Sequence, residues 1–241
     1  MHSPFIFELI TKVMNDKTDY PSYAQVESMR KNLKGDHSEI DVLDLGAGST
    51  FGGRKTRTIS SIAAHAAKPA KYGQLLHRIA KYYRCKNILE LGTSLGISTS
   101  YLALSNPEAS VTTIEGSPEI AAKARENFSS LGIENIEVVE GNFDNVLEGV
   151  LSKMGRIDLA YIDGNHRLEP TLKYFESILP HTHNDSILIF DDIHWSGEME
   201  KAWKTITDHA AVRASVDLFF IGVVFLRREF KVKRTFRVFY R

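Results

Sequence analysis

The feature that most constrains this chain is an alternation that begins at Asn87. Short β-branched or apolar runs at Asn87 to Leu91, Ser110 to Glu115, Ile136 to Glu140, Ile157 to Ile162 and Ser186 to Phe190 alternate with segments of a different period. In those segments, Ile97 to Ser105, Pro118 to Leu131, Asp144 to Lys153, Glu169 to Leu179 and Gly197 to His209, apolar residues recur at three- and four-residue spacing, which predicts helices. Pro118 and Pro170 fall where a first helical turn begins, a position that tolerates a missing N–H. Repeated strand-helix units build a mostly parallel sheet covered on its faces. Two more runs, Ser215 to Phe219 and Gly222 to Arg227, are joined by almost nothing, so they must pair antiparallel, because a parallel crossover takes about a dozen residues or more. The expected fold is α/β, with a seven-stranded, mostly parallel sheet that ends in an antiparallel hairpin.

Upstream of Asn87 the pattern changes. Phe5 to Met14 and Tyr72 to Tyr83 read as amphipathic helices, and Ile40 to Leu45 reads as a strand within a polar, glycine-containing middle. We divide the chain into an N-terminal cap segment, 1–72, and a catalytic domain, 73–241. The cap is suited to covering a substrate cleft or to building a homodimer contact. Its charge is one-sided. No Asp or Glu occurs from Leu45 to Leu89, while Arg54, Lys55, Arg57, Lys68, Lys71, Arg78, Lys81, Arg84 and Lys86 lie there. The stretch from Arg227 onward is basic again, yet 30 basic and 30 acidic residues cancel over the whole chain, which argues against a global electrostatic pull toward nucleic acid or membrane. One cysteine, Cys85, cannot form an internal disulfide, and a buried structural thiol in a reducing cytoplasm is expected. The longest apolar run, Leu218 to Leu226, is about half the ~20 residues of a spanning helix.

The loop after the first strand of the alternation carries the functional signal. Asn87-Ile-Leu-Glu-Leu-Gly-Thr-Ser-Leu-Gly-Ile-Ser-Thr-Ser places Gly92 and Gly96 between a strand and a helix start, where backbone without side chains admits a ligand closely. Glu115 ends the next strand, the position from which a carboxylate accepts both ribose hydroxyls of a nucleoside. Glu90, beside the loop, suits a ligand amino group, directly or through water. Four other readings share parts of this signature. A tight turn with a chance acid nearby is one. A dinucleotide loop is another, but Ser94 replaces the second glycine that a pyrophosphate needs. Gly92-Thr-Ser-Leu-Gly96 also matches a hydrolase elbow with Ser94 as nucleophile, although that elbow normally follows several strand-helix units. Finally, Val42-Leu-Asp-Leu-Gly-Ala-Gly-Ser49 is a second glycine loop, but no carboxylate between Asp44 and Glu90 can serve it. We read Asp44 to Gly53 as a glycine-rich turn of the cap, with a lesser possibility that its amides, with Arg54, Lys55 and Arg57, hold an anionic group. S-Adenosylmethionine has no phosphate and fits the loop that Glu115 selects.

From Asn87 to about Arg227, the order of motifs resembles class I, Rossmann-like S-adenosylmethionine-dependent methyltransferases. The resemblance is strongest to metal-dependent small-molecule O-methyltransferases of the catechol O-methyltransferase-like and macrolide-sugar types. It implies cofactor contacts from Glu90, Gly92, Thr93, Ser94, Gly96, Glu115, Gly116, Asn142, Phe143 and Asp163, with Asn142 and Phe143 at the adenine. It also implies a divalent cation, magnesium or similar, on Asp163 in Ile162-Asp-Gly-Asn-His166 and on Asp191 and Asp192 in Phe190-Asp-Asp-Ile-His-Trp195. Physical chemistry supports this beside the resemblance, since carboxylates crowded at the C-terminal ends of parallel strands invite a hard cation. The cation would lower the pKa of the hydroxyl to be methylated. Asp163 and Asp191 acting only as helix caps or cofactor contacts is the plainer alternative. His166, three residues past Asp163, is the expected general base, favoured over His194. The catechol-like enzymes have Asn where this chain has Asp192, and lysine where it has His166, whereas the macrolide-sugar type has an acid and a histidine. His65, His181 and His183 are read as surface or packing residues, Trp203 as packing, and Trp195 as a possible pocket wall. The expected activity is metal-assisted O-methylation of a small-molecule or glycosyl hydroxyl. The alternatives are an RNA methyltransferase that uses the basic cap and tail, where Phe230, Phe236, Phe239 and Tyr240 interleave, and, below it, a hydrolase.

Overall fold

The computed structural model describes residues 4–44, 53–66 and 68–240. Its centre is one eight-stranded sheet with the order β10-β8-β9-β7-β6-β3-β4-β5. The strands are β3 (Asn87–Leu91), β4 (Ser110–Glu115), β5 (Ile136–Glu140), β6 (Ile157–Ile162), β7 (Thr182–Asp191), β8 (Ala214–Asp217), β9 (Ile221–Phe225) and β10 (Arg234–Arg237). Only β9 runs against its neighbours, pairing antiparallel with both β7 and β8. The expected parallel sheet with a terminal hairpin is therefore present, and the count of seven is corrected to eight. The extra strand, β10, pairs parallel with β8 at the sheet edge. Its sequence Arg-Thr-Phe-Arg is largely exposed and has no apolar alternation, so it read as a basic tail, and its charges blunt an edge that would otherwise template aggregation.

Strand limits also shift for physical reasons. β7 starts at Thr182 rather than Ser186, because a register irregularity between Ile157 and Leu159 lets Thr182 pair with Ile157 before the regular ladder begins at Ile187. β8 stops at Asp217, because Phe219 adopts φ +73° in a tight turn where the Leu218 N–H donates to the Ile221 carbonyl at 2.9 Å. The apolar run continues through that turn, and composition alone does not mark it.

Helices cover both faces, as the burial of alternate strand residues on opposite sides requires. Leu159 and Tyr161 of β6 join a core with Leu75, Ile79 and Phe128, whereas Ala160 and Ile162 join one with Leu147, Phe175 and Trp203. The first face is covered by α4 (Ala70–Tyr82), α5 (Ile97–Ala103) and α6 (Pro118–Ser130), and the second by α7 (Phe143–Met154), α8 (Leu168–Ile178) and α9 (Gly197–Asp208). Cys85 lies in the first core, where burial pushes its thiol up to about 12.

The N-terminal region is richer than its periodicity suggested. It begins with α1 (Pro4–Glu8) and a π-helical stretch, Leu9–Met14, whose Ile6, Leu9 and Val13 enter the same core as Leu75 and Ile88. Then come α2 (Pro21–Gly35), a hairpin of β1 (Glu39–Asp44) and β2 (Gly53–Thr58), and α3 (Ile59–Ala66). Val26, Met29 and Leu33 of α2 pack with Ile59 and Ile62 of α3 against Leu95, Tyr101 and Ile120. A mean of strongly polar residues hides α2 in the sequence, although its buried positions 26, 29, 30 and 33 keep helical spacing.

Asp158, at the start of β6, ties three segments together. It accepts the backbone N–H groups of Lys86 and Asn87 at 2.7 and 2.8 Å and contacts His183 Nε2 at 2.8 Å. Burial works to raise its pKa, but these donors outweigh it and hold the carboxyl below its usual value. A folded-state pKa depressed in this way contributes stability that is present above the unfolded value and lost as pH falls through the folded one. We therefore expect Asp158→Asn to cost about 1–3 kcal/mol at pH 7, with the gap to wild type closing below about pH 4. Urea midpoints measured across that range check both magnitude and sign.

Candidate active site

The loops after β3, β4, β5, β6 and β7 open the cleft at the C-terminal ends of the parallel strands, where open α/β sheets bind ligands. The cavity there has a volume of about 860 Å³. Gly92, Ser94, Glu115, Gly116, Asn142 and Phe143 line one part of it, and Asp163, His166, Asp191 and Asp192 another.

The glycine loop is shaped by contacts that allow no alternative residue. Gly92 has φ +103°, and a Cβ on it would sit 2.0 Å from the Asp163 carbonyl oxygen. Gly96 has φ +81° and faces the Phe128 ring, 2.4 Å from where a Cβ would be. Glu115 closes the loop from the next strand: one carboxylate oxygen accepts the Ser94 N–H and the other the Ser117 N–H, each at 2.9 Å. Burial raises its pKa against the pull of these amides and that of Gly116. The carboxylate is thus fixed in orientation, with lone pairs left toward the cavity. Thr93 is buried and shares a hydroxyl contact of 2.7 Å with Thr113.

Glu90 stands elsewhere than the sequence suggested. It is fully buried beneath the loop, outside the lining of the cavity, and accepts hydrogen bonds from the hydroxyls of Thr99 and Thr113, the latter at 2.7 Å. One of its oxygens, Oε1, has no hydrogen-bond partner. Burial pushes the carboxyl up to about 7. Asn142 also has a local task, since its side-chain oxygen caps α7 by accepting the Asp144 N–H at 2.9 Å. Phe143 packs edge-on against Tyr174 with ring centroids 5.6 Å apart and crowds Gly164.

On the acceptor side, Asp163, His166 and Asp191 each bring one ligand atom within 4.8 Å of the others. Asp192, expected as the third carboxylate of a metal set, is not a member of that cluster, and His166 takes its place. The physical reason is Lys68, whose Nζ lies 2.5 Å from Asp192 Oδ1 and 3.0 Å from Asp191 Oδ2. Asp163 accepts the Tyr161 hydroxyl at 3.0 Å on one oxygen and faces His166 Nε2 at 3.4 Å on the other. Burial, and the charge of Asp163 beside it, push Asp191 well above the carboxylate range. Burial pulls the His166 ring down, but Asp163 and Asp192 outweigh that and leave it above its ordinary value.

Lys68 and Tyr161 escaped the sequence reading. Tyr161 had a signal, because residues two apart in a strand share a face with Asp163. Lys68 had none beyond membership of a cation-rich run. The hairpin residues Val42, Leu43, Lys55 and Arg57 also line the cleft, and the Leu43 N–H donates to Ser117 Oγ at 3.2 Å. Most of the Asp44 to Gly53 turn, residues 45–52, and the side chains of Arg54 and His65 lie outside the described residues.

The remaining candidates are engaged away from the cleft. His194 is held between Glu200 and Asp217 at 3.2 and 3.0 Å. Trp195 is 74% exposed and lines no part of the cavity. His181 meets the Gly155 carbonyl and His183 meets Asp158. No hydrogen bond joins the Ser94 hydroxyl to a histidine among the described residues, so the relay of a hydrolase is not assembled. In the basic tail, Arg237 pairs with Asp217 at 2.9 Å, Arg227 with Asp185 at 2.9 Å, and Lys233 donates to the Thr207 and His209 carbonyls.

Residues 89–193, the span from β3 through β7 that builds this cleft, match the family described as Methyltransferase domain. The chain carries an S-adenosylmethionine-dependent methyltransferase domain on a class I fold. This methyltransferase is similar to a catechol O-methyltransferase of Niastella koreensis, 25% identical over 167 residues that cover 68% of this chain and 74% of the relative. Its fold is that of the S-adenosylhomocysteine-bound methyltransferase PaMTH1 of Podospora anserina, with a TM-score of 0.64 at 15% identity over 94% of this chain and 97% of that one. An O-methyltransferase of Bacillus cereus in complex with S-adenosylhomocysteine gives 0.62 at 19% identity, over 92% and 97%. Among the described residues, no helix of the methyltransferase is long and apolar enough to cross a membrane.

Since both the φ of Gly92 and the carbonyl beside it forbid a side chain, Gly92→Ala is expected to cost more than about 2 kcal/mol of stability. It should also abolish S-adenosylhomocysteine heat in calorimetry at temperatures where the variant is still folded.

Proposed function

We propose that this methyltransferase moves a methyl group from S-adenosylmethionine to a hydroxyl of a small-molecule or glycosyl substrate, with a divalent cation such as magnesium at the acceptor side. The observation that carries the reading is the cluster of Asp163, His166 and Asp191 on the wall of the same cavity that Glu115 and the glycine loop line. In this reading Glu115 accepts the ribose hydroxyls, Gly92, Thr93, Ser94, Gly96 and Gly116 give close backbone approach, and Asn142 and Phe143 border the adenine. Glu90 acts from below, joining α5 to β4 through Thr99 and Thr113, with one oxygen left for the amino group through water.

The donor set fits a hard cation. The carboxylates of Asp163 and Asp191 converge beside the His166 imidazole, and Asp191 Oδ1 is buried without a partner, which is costly unless a cation or proton completes it. Bound there, the cation would lower the pKa of a coordinated hydroxyl. His166 would then take the hydroxyl proton as the oxygen attacks, and the carboxylates around it raise its proton affinity for that purpose. The acceptor oxygen gains the methyl group and loses the proton to His166, while the sulfonium becomes a neutral thioether.

A small acceptor is favoured over RNA by charge. The acceptor wall carries Asp163, Asp191 and Asp192, which repel a phosphodiester backbone, while the tail cations named above are occupied by internal partners.

Three measurements test the proposal. Glu115→Ala should weaken S-adenosylhomocysteine binding by roughly 10- to 100-fold, equivalent to about 1.4–2.8 kcal/mol. With a panel of catechol and sugar diols, chelator or Asp191→Ala should abolish turnover while leaving cofactor heat intact; undiminished turnover under chelation removes the metal from the scheme. His166→Ala should lower kcat by roughly 100- to 10,000-fold, with little change in cofactor affinity.

A further inference from the structure

The acceptor side of the cleft already holds a cation of its own. Lys68 Nζ bridges Asp191 Oδ2 and Asp192 Oδ1 at 3.0 and 2.5 Å and lies 5.5 Å from the centre of the Phe220 ring. Its side chain is only 19% exposed. The sheet does not supply this residue. It comes from the connection between α3 and α4, and its carbonyl accepts a hydrogen bond from Arg30, a buried arginine of α2 that pairs with Glu27 at 3.0 Å.

Asp191 divides its oxygens. Oδ2 meets the ammonium, whereas Oδ1, in a residue 2% exposed, has no hydrogen-bond partner, and the same carboxylate belongs to the cluster with Asp163 and His166. A divalent ion in that cluster and the ammonium of Lys68 draw on the same carboxylate, and two cations that close repel one another in a site of low effective dielectric.

We propose that Lys68 is a tethered competitor of the divalent cation, rather than a spectator to it. In the metal-free enzyme the ammonium balances Asp191 and Asp192, and an entering ion displaces it from Asp191. Metal loading is thereby linked to the position of the segment between α3 and α4. Because the competitor is part of the chain, its concentration at the site cannot be diluted, and the apparent metal affinity falls by the fraction of molecules in which Lys68 has let go. The inference rests on reading the acid cluster as a metal site.

The test uses manganese as probe and the full chain. Free Mn²⁺ is followed by electron paramagnetic resonance with wild type, Lys68→Met and Lys68→Gln, the second variant retaining a hydrogen-bonding end. S-Adenosylhomocysteine calorimetry runs in parallel. Both variants should bind Mn²⁺ at least about tenfold more tightly than wild type if Lys68 holds the acids some nine-tenths of the time, and adding Asp191→Asn should remove that gain. In wild type, Mn²⁺ should raise the rate at which an amine-directed reagent modifies Lys68. Equal Mn²⁺ affinity in wild type and both variants overturns the proposal. So does the absence of Mn²⁺ binding in all three, and in that case normal cofactor heat leaves the methyltransferase reading standing, whereas lost cofactor heat removes it as well.

Discussion

The architecture of this cleft turns on a charge problem. Asp163 and Asp191 project from the ends of neighbouring strands β6 and β7 and converge with His166. Water cannot solvate both freely, so each must find a donor or a cation. Tyr161 and His166 serve Asp163, and Lys68 serves one side of Asp191. Asp192, held at φ +51° just beyond the strand, turns its carboxylate to the same lysine. Asp191 Oδ1, buried without a hydrogen-bond partner, marks where the balance among these acids is incomplete. A site built this way stores its demand for a positive charge in the fold, before any ligand arrives.

The sheet order explains why the demand arises where it does. β3 sits between β4 and β6, so the glycine loop after β3 has Glu115 on one side and Asp163 on the other. The Gly92 N–H reaches the Ile114 carbonyl at 3.0 Å, and the Asp163 N–H reaches the Leu91 carbonyl at 2.9 Å. Through this short backbone chain, the glycine loop and the loop that carries the acid cluster share one rigid support. Substitution at Gly92 therefore acts on both halves of the cleft, because its missing side chain is what lets the Asp163 backbone pass. Both loops are thereby placed on strand ends, which fixes their relative position.

Much of this was legible in the sequence, and the residues show why. Strand and helix periods gave β3 to β6 and α5 to α9 nearly residue for residue, and the apolar half of β7, because the pattern holds where strand residues are buried. Gly92, Gly96 and Glu115 could be singled out since their spacing follows from the geometry of one strand-helix-strand unit. Asp192 could not be placed, because adjacency to Asp191 in sequence says nothing about which way a side chain turns at a residue of positive φ. The depth of Glu90 beneath the loop was not legible, because strand alternation does not tell the cleft end of a sheet from its interior. β10 was missed since an exposed edge strand needs no apolar face. Lys68 was invisible for the strongest reason: its partners lie more than a hundred residues away, and only the fold brings them together.

The cap's composition acquires a meaning from that last point. With no carboxylate between Leu45 and Leu89, a cation on this stretch has no acid within it to pair with, so it must reach across to another element or remain in water. Lys68 reaches the acids after β7. Arg78 reaches the Val13 carbonyl at 2.7 Å and the hydroxyls of Tyr23 and Tyr240, and Lys71 reaches the Tyr240 carbonyl at 3.1 Å. Three of the nine cations on this stretch, Lys68, Lys71 and Arg78, thus fasten the N-terminal region to the central sheet and to the C-terminal strand region. A fastening made partly of an ion pair inside the cleft differs from one made of apolar contact, because its strength depends on what else occupies the cleft. If a cation takes Lys68's place at Asp191, it would weaken the hold on the segment before α4, and a change that loosens that segment would make the acids more available. By linkage the two effects would then be equal in free energy, which would tie the stability of the cap to the chemistry of the acid cluster.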